Sequence, residues 1–209
     1  MGLQVWRGAD AATWPEPRGR ARRVHEVLAG GLFITLCALA ARVAVPLPFT
    51  PVPVTLQVLA VLLGALALGW RHAAAAQVAY LALGAAGLPV FAAGRAGWPT
   101  LVGPTAGYLY GFVFAAAVTG WLAGDGRGVL RRFGACLAGV AIIHLAGALY
   151  LGGFLAATLQ VADPWRAAWE QGAAPFLLFD VLKAALAAAV APGGRLLLAR
   201  VLAHAERGP

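Results

Sequence analysis

Apolar residues in this chain run on without the helical or alternating period of a half-buried element, and short clusters of glycine, proline and arginine break the runs. A helix that is apolar on every face belongs in a bilayer or a deep core. About 20 such residues cross the hydrocarbon. On this basis spans are expected near residues 24–45, 53–69, 72–90, 104–123, 133–160 and 174–198. Gly69-Trp70-Arg71-His72 makes a tight basic turn between the second and third spans, and Gly124 to Gly128 separates the fourth from the fifth. Gly103-Pro104-Thr105 opens the fourth, because a helix start has no N–H partner for proline to lose. Pro192-Gly193-Gly194 is expected to break or kink the sixth.

Composition points the same way. Apolar residues are 61% of the chain and charged residues 11%, with mean hydropathy +0.79, whereas soluble domains carry about 25% charge. The expectation is an all-α membrane protein of six transmembrane helices. A polar N-terminal tail at 1–23, a membrane domain at 24–200 and a short C-terminal tail at 201–209 account for all 209 residues. The net charge of +8 is no nucleic-acid signature, since the arginines sit near segment ends and no recognition motif accompanies them. With both termini cytoplasmic, one side collects the arginines of the tails and of the second and fourth connections. The other side keeps Arg95 and Arg166, as the positive-inside rule asks. Cys37 and Cys136 lack metal-ligand spacing and read as packing residues.

Polar side chains inside the spans are the candidates for chemistry. Asp180 and Lys183 share a helical face at i and i+3 in the last span, where an unpaired charge would cost several kcal/mol. They form either a helix-fastening ion pair or one wall of a polar pocket. Four prolines at 46, 48, 51 and 53 make the first connection extended and stiff, either a short hairpin loop between spans or a preorganised cap that includes Phe49. The connection after the third span is glycine-rich and carries Arg95, a suitable donor for a carboxylate. It lacks the strand-then-helix setting of a phosphate loop. His144 in the fifth span reads as a hydrogen-bonded packing residue, and Arg42 as a side chain snorkelling to the outer interface. Neither HExxH nor GxSxG occurs, so no enzyme is expected.

Four segments together resemble a known family: Pro46-Leu-Pro-Phe-Thr-Pro-Val-Pro-Val-Thr-Leu-Gln57, Gly87-Leu-Pro-Val-Phe91, Gly103-Pro-Thr-Ala-Gly-Tyr108 and Asp180-x-x-Lys183. They are similar to BioY, the biotin-specific substrate-binding (S) component of energy-coupling factor transporters. The resemblance covers roughly residues 24–200. It implies a six-helix S-component fold in a prokaryotic cell (inner) membrane, with a biotin pocket near the outer surface under the first and third loops. It also implies high-affinity biotin binding for uptake, with no cofactor and biotin as the transported ligand. The implied partners are a transmembrane coupling subunit and two cytoplasmic ATPases, or possible self-association, within the lipid bilayer. Asp180, Lys183 and Arg95 map onto the family's polar pocket residues. Asp180 would accept from the ureido N–H groups, and Lys183 or Arg95 would donate to the ureido oxygen or the valerate carboxylate. Tyr80, Phe49, Phe91 and Tyr108 would form walls, and Gln57 an amide contact. The alternative is an S component for riboflavin or thiamine.

Overall fold

The computed structural model describes residues 20–124 and 128–207, with side chains described over 24–124 and 128–193. Most of the polar N-terminal tail and of the Gly124–Gly128 connection therefore lies outside the described residues. The helices in chain order are α1 (Arg20–Arg42), α2 (Gln57–Leu68), α3 (Trp70–Ala85), α4 (Trp98–Val102), α5 (Ala106–Ala123), α6 (Val129–Phe154), α7 (Pro164–Ala168) and α8 (Leu177–Arg207). Two-residue strands β1 (Ala44–Val45) and β2 (Val54–Thr55) pair antiparallel, Ala44 opposite Thr55 and Val45 opposite Val54. The all-α expectation thus omits one small ladder. It closes the proline-rich loop at its base, where the flanking residues still have N–H groups to give.

Three helical stretches are long and apolar enough to cross a membrane: Val24–Arg42, Ala106–Ala123 and Val129–Leu159. A fourth arises if Pro164–Ala173 and Leu177–Gly193, bent by 44°, act as one span. The expected second and third spans are shorter helices of 12 and 16 residues. At 1.5 Å per residue, α2 reaches only about 18 Å. The apolar runs at 53–69 and 72–90 overstate these helices at the ends away from Gly69. Residues 53–56 enter the β ladder and the turn before α2. Helix α3 stops before Gly87, whose φ of 101° suits glycine. A single residue, Gly69 at φ 75°, separates α2 from α3.

Helix α5 packs closely on α6 because Gly107 and Gly111, four apart, share a face. A Cβ at Gly111 would lie 3.2 Å from the Ile143 Cα, so the small residue sets how near the two backbones come. Helix α8 lies against α2 and α6. It does not break at Pro192 and continues to Arg207. A proline removes one intrahelical hydrogen bond, a loss that neighbouring helices let an apolar bundle absorb.

The two ends of the bundle differ. At one end His72 meets Glu26 at 3.5 Å, Arg131 Nε donates to the Leu122 carbonyl at 2.9 Å and Arg132 Nε to the Ala188 carbonyl at 2.7 Å. At the other end Arg42 closes α1 and donates through Nη2 to the Pro89 carbonyl at 2.7 Å. Arg42 thus ties the start of the proline loop to the loop after α3, a more specific role than snorkelling. The same end carries a strap to the turn before α8. Thr50 Oγ1 donates to the Gln171 carbonyl at 2.6 Å and accepts from the Val52 N–H at 3.0 Å.

Candidate functional site: a buried carboxylate beneath the loops

Asp180 sits one turn into α8 and is 3% exposed. Its Oδ1 accepts from Lys183 Nζ at 2.7 Å, the i, i+3 pairing expected of one helical face. Its Oδ2 lies 2.8 Å from His144 Nε2, on α6. A carboxylate removed from water is tolerable only when its charge is matched and its oxygens are hydrogen-bonded, and both conditions hold here. His144 is hydrogen-bonded and buried, as expected, and its partner is the Asp180 carboxylate itself. Beyond Arg131 and Arg132 at its start, α6 carries no charged side chain, and an imidazole set in that apolar run is itself a signal, since ionisable groups at membrane depth face interior chemistry by default.

The Tyr108 ring stands edge-on to His144, with centroids 6.5 Å apart. Its Oη donates to the Gly172 carbonyl at 2.7 Å. That carbonyl lies in a turn of π-helix at Trp169–Ala173, just before α8. Glycine at 147 lets the Tyr108 ring lie flat on α6, where a Cβ would collide with it.

A second polar group enters from α2. Gln57 is 3% exposed and donates through Nε2 to Tyr80 Oη at 3.0 Å, while Tyr80 Oη donates to the Val90 carbonyl at 2.7 Å. Phe91 stacks edge-on against Tyr80 at 5.6 Å. Its ring occupies the space over Gly84, so that glycine is needed for the loop to fold back on α3.

Between these groups lies a cavity with about 70 Å³ of free space. Gln57, Phe91, Arg95, Tyr108, Asp180 and Lys183 line it, as do His144, Phe112, Phe176, Thr100 and Thr105. Two of the expected site residues do not. Tyr80 is fully buried behind the wall and touches Gln57 and Phe91, which do line the cavity. Phe49 is 55% exposed at the tip of the proline loop, and Val52 and Pro53 are the loop residues that face inward. The prolines fix the loop as stiff, but the side that faces the bundle is set by the Thr50–Gln171 strap. Arg95 is exposed at the rim. With Thr100 and Thr105 it also lines a shallower cleft beside Pro99, Gly103 and Pro104. Among the described residues, no cluster of three His, Cys, Asp or Glu side chains is placed to hold a metal ion.

Asp180 thus lies buried and paired in a cavity that the proline-rich loop also lines. The BioY family model matches residues 15–200. The chain belongs to the BioY family. Among its relatives, the biotin transporter BioY of Thermotoga maritima is 38% identical over 168 residues, covering 80% of this chain and 94% of that protein. The biotin transporter BioY of Rhodobacter capsulatus is 38% identical over 171 residues, 76% of this chain and 90% of the relative. The fold of this BioY-family chain is similar to the 2.1 Å crystal structure of the S-component for biotin from an ECF-type ABC transporter. The TM-score is 0.75 at 22% identity, covering 86% of this chain and 95% of that one.

Proposed function

We propose that this BioY-family protein is the membrane-embedded biotin-capture subunit of an energy-coupling factor transporter. It binds biotin for uptake and catalyses no reaction. The observation that carries this reading is Asp180, buried between Lys183 and His144 and facing a cavity beneath the proline loop. A ureido ring offers two N–H donors and one carbonyl acceptor. Asp180 suits the donors, and Gln57 and Lys183 suit the remaining polar edges. Phe91, Tyr108, Phe112 and Phe176 give the apolar walls that small-ligand sites require. Arg95 is the natural partner for the valerate carboxylate, since it is exposed at the rim whereas Lys183 lies inside beside Asp180. A ligand-sized site is about 300–1,000 Å³. Binding therefore parts the walls of a cavity that is now about 70 Å³.

The chain crosses a prokaryotic cell membrane six times, with both termini in the cytoplasm and the loop end of the bundle outside. The arginine distribution supports this orientation, because Arg71, Arg131 and Arg132 gather at the end opposite the proline loop. The short helices α2 and α3 then complete the bilayer crossing together with their flanking residues. Transport draws its energy from a transmembrane coupling subunit and two cytoplasmic ATPases. The test is native mass spectrometry of the purified protein, followed by titration with biotin, riboflavin and thiamine. Co-purified biotin and preferential biotin binding are expected. Tighter binding of either other vitamin would assign the fold to that ligand instead.

A further inference from the structure

His144 is a buried imidazole whose two nitrogens have different fates. Nε2 lies 2.8 Å from Asp180 Oδ2, whereas Nδ1 is buried without a hydrogen-bond partner among the described residues. Against a carboxylate oxygen Nε2 carries the proton, and a neutral imidazole then leaves Nδ1 bare. That tautomer keeps the site balanced, because Asp180 and Lys183 already cancel one another. Lys183 alone would fix the carboxylate poorly, since its ammonium rides on a flexible stem and comes from the same helix. His144 comes from α6, so it ties Asp180 to a second element. Its ring is held in place by the edge of Tyr108 and by burial to 6% exposure. An ionised carboxylate has roughly four lone-pair sites. Lys183 and His144 take one on each oxygen, which leaves acceptor capacity on both.

We propose that His144 is a positioning residue, which fixes the plane of the Asp180 carboxylate and thereby makes the pocket select ligands that present an N–H donor. This rests on the biotin reading above for the identity of the ligand. A cyclic urea fits, and a ring of the same shape with its N–H groups replaced does not. The effect runs through Asp180, so the contributions of the two residues are not independent.

The experiment is calorimetric titration of the full chain in lipid nanodiscs with biotin and with an analogue whose ureido N–H groups are replaced by oxygen. The proteins are the wild type, His144→Gln, His144→Leu, Asp180→Asn and the double variant His144→Leu/Asp180→Asn. Gln can offer its side-chain amide where Nε2 now donates, so His144→Gln should bind biotin within about threefold of wild type. His144→Leu should lose about tenfold, the scale of one positioned hydrogen bond. It should also discriminate less between biotin and the analogue. The double variant should bind no worse than Asp180→Asn alone. Losses that multiply in the double variant, or an unchanged preference for biotin in His144→Leu, would overturn the proposal and leave His144 as packing. The wild-type titration tests the biotin reading separately, and if it shows no binding, both proposals fall together.

Discussion

Replacing Asp180 by Asn keeps the shape of the side chain and removes its charge, so both hydrogen bonds at the carboxylate must be rearranged. The carboxylate now meets two donors, Lys183 Nζ at 2.7 Å and His144 Nε2 at 2.8 Å. Asn has one acceptor oxygen and one NH₂ donor. Its oxygen goes to Lys183, because an NH₂ group against an ammonium would be worse. The NH₂ then faces His144, whose Nε2 must become an acceptor. That moves the imidazole proton to Nδ1, where no partner exists among the described residues. Lys183 also loses its counter-charge, at a cost of about 3–5 kcal/mol for a fully buried ion. Its side chain is 13% exposed and keeps the Asn oxygen as a partner, so the cost in stability falls below that range. One carboxylate oxygen becomes an NH₂ group, so a ligand N–H that bonded there loses its charged acceptor, a loss of about 1.5–3 kcal/mol. Biotin affinity should therefore fall by about one to two orders of magnitude in Kd. Calorimetry in nanodiscs measures this, with thermal unfolding in the absence of ligand as the companion readout. Wild-type affinity in this variant would refute the assignment of Asp180 to the pocket and return the pair to helix fastening.

Three further outcomes can be checked. Arg95→Gln should cost up to about 1 kcal/mol of biotin affinity, as expected of an exposed charge pair. It should also flatten the salt dependence of binding, and identical salt curves for variant and wild type would remove Arg95 from the carboxylate. Tyr80→Phe leaves the Val90 carbonyl and the Gln57 amide each short of a partner, and should lower unfolding stability by about 1–2 kcal/mol. A variant as stable as wild type in chemical denaturation would show that water replaces the hydroxyl. Phe49→Ala should change biotin affinity by less than about 0.5 kcal/mol, since the ring is exposed and off the cavity. A tenfold loss would instead place Phe49 over the ligand.

The parts of the candidate site that are legible in the sequence share a property: each depends on one helix or one loop. Asp180 and Lys183 are three apart, so their common face needs no tertiary information. Gln57, Phe91 and Tyr108 each lie in or beside a motif whose prolines restrict the backbone around them. His144 is harder, because its partner is 36 positions away and only the packing of α6 on α8 brings the two together. Phe49 and Tyr80 depart from expectation in opposite directions for one reason. Aromatic character marks a residue for contact but says nothing of which side of a wall it occupies, and that is decided by the Thr50–Gln171 and Tyr80–Val90 hydrogen bonds. The membrane character is plain from composition. The lengths of α2 and α3 are not, because hydrophobicity continues through the residues that turn away into the ladder and the third loop.

The π-turn at Trp169–Ala173 presents consecutive carbonyls to two distant parts of the chain. Gln171 holds the proline loop through Thr50, and Gly172 holds Tyr108 on the cavity wall. A molecule that wedges Tyr108 outward therefore pulls on a peptide whose immediate neighbour tethers the roof. On the proposed reading, a ligand that fills the chamber would also load its cover, through two adjacent peptide units.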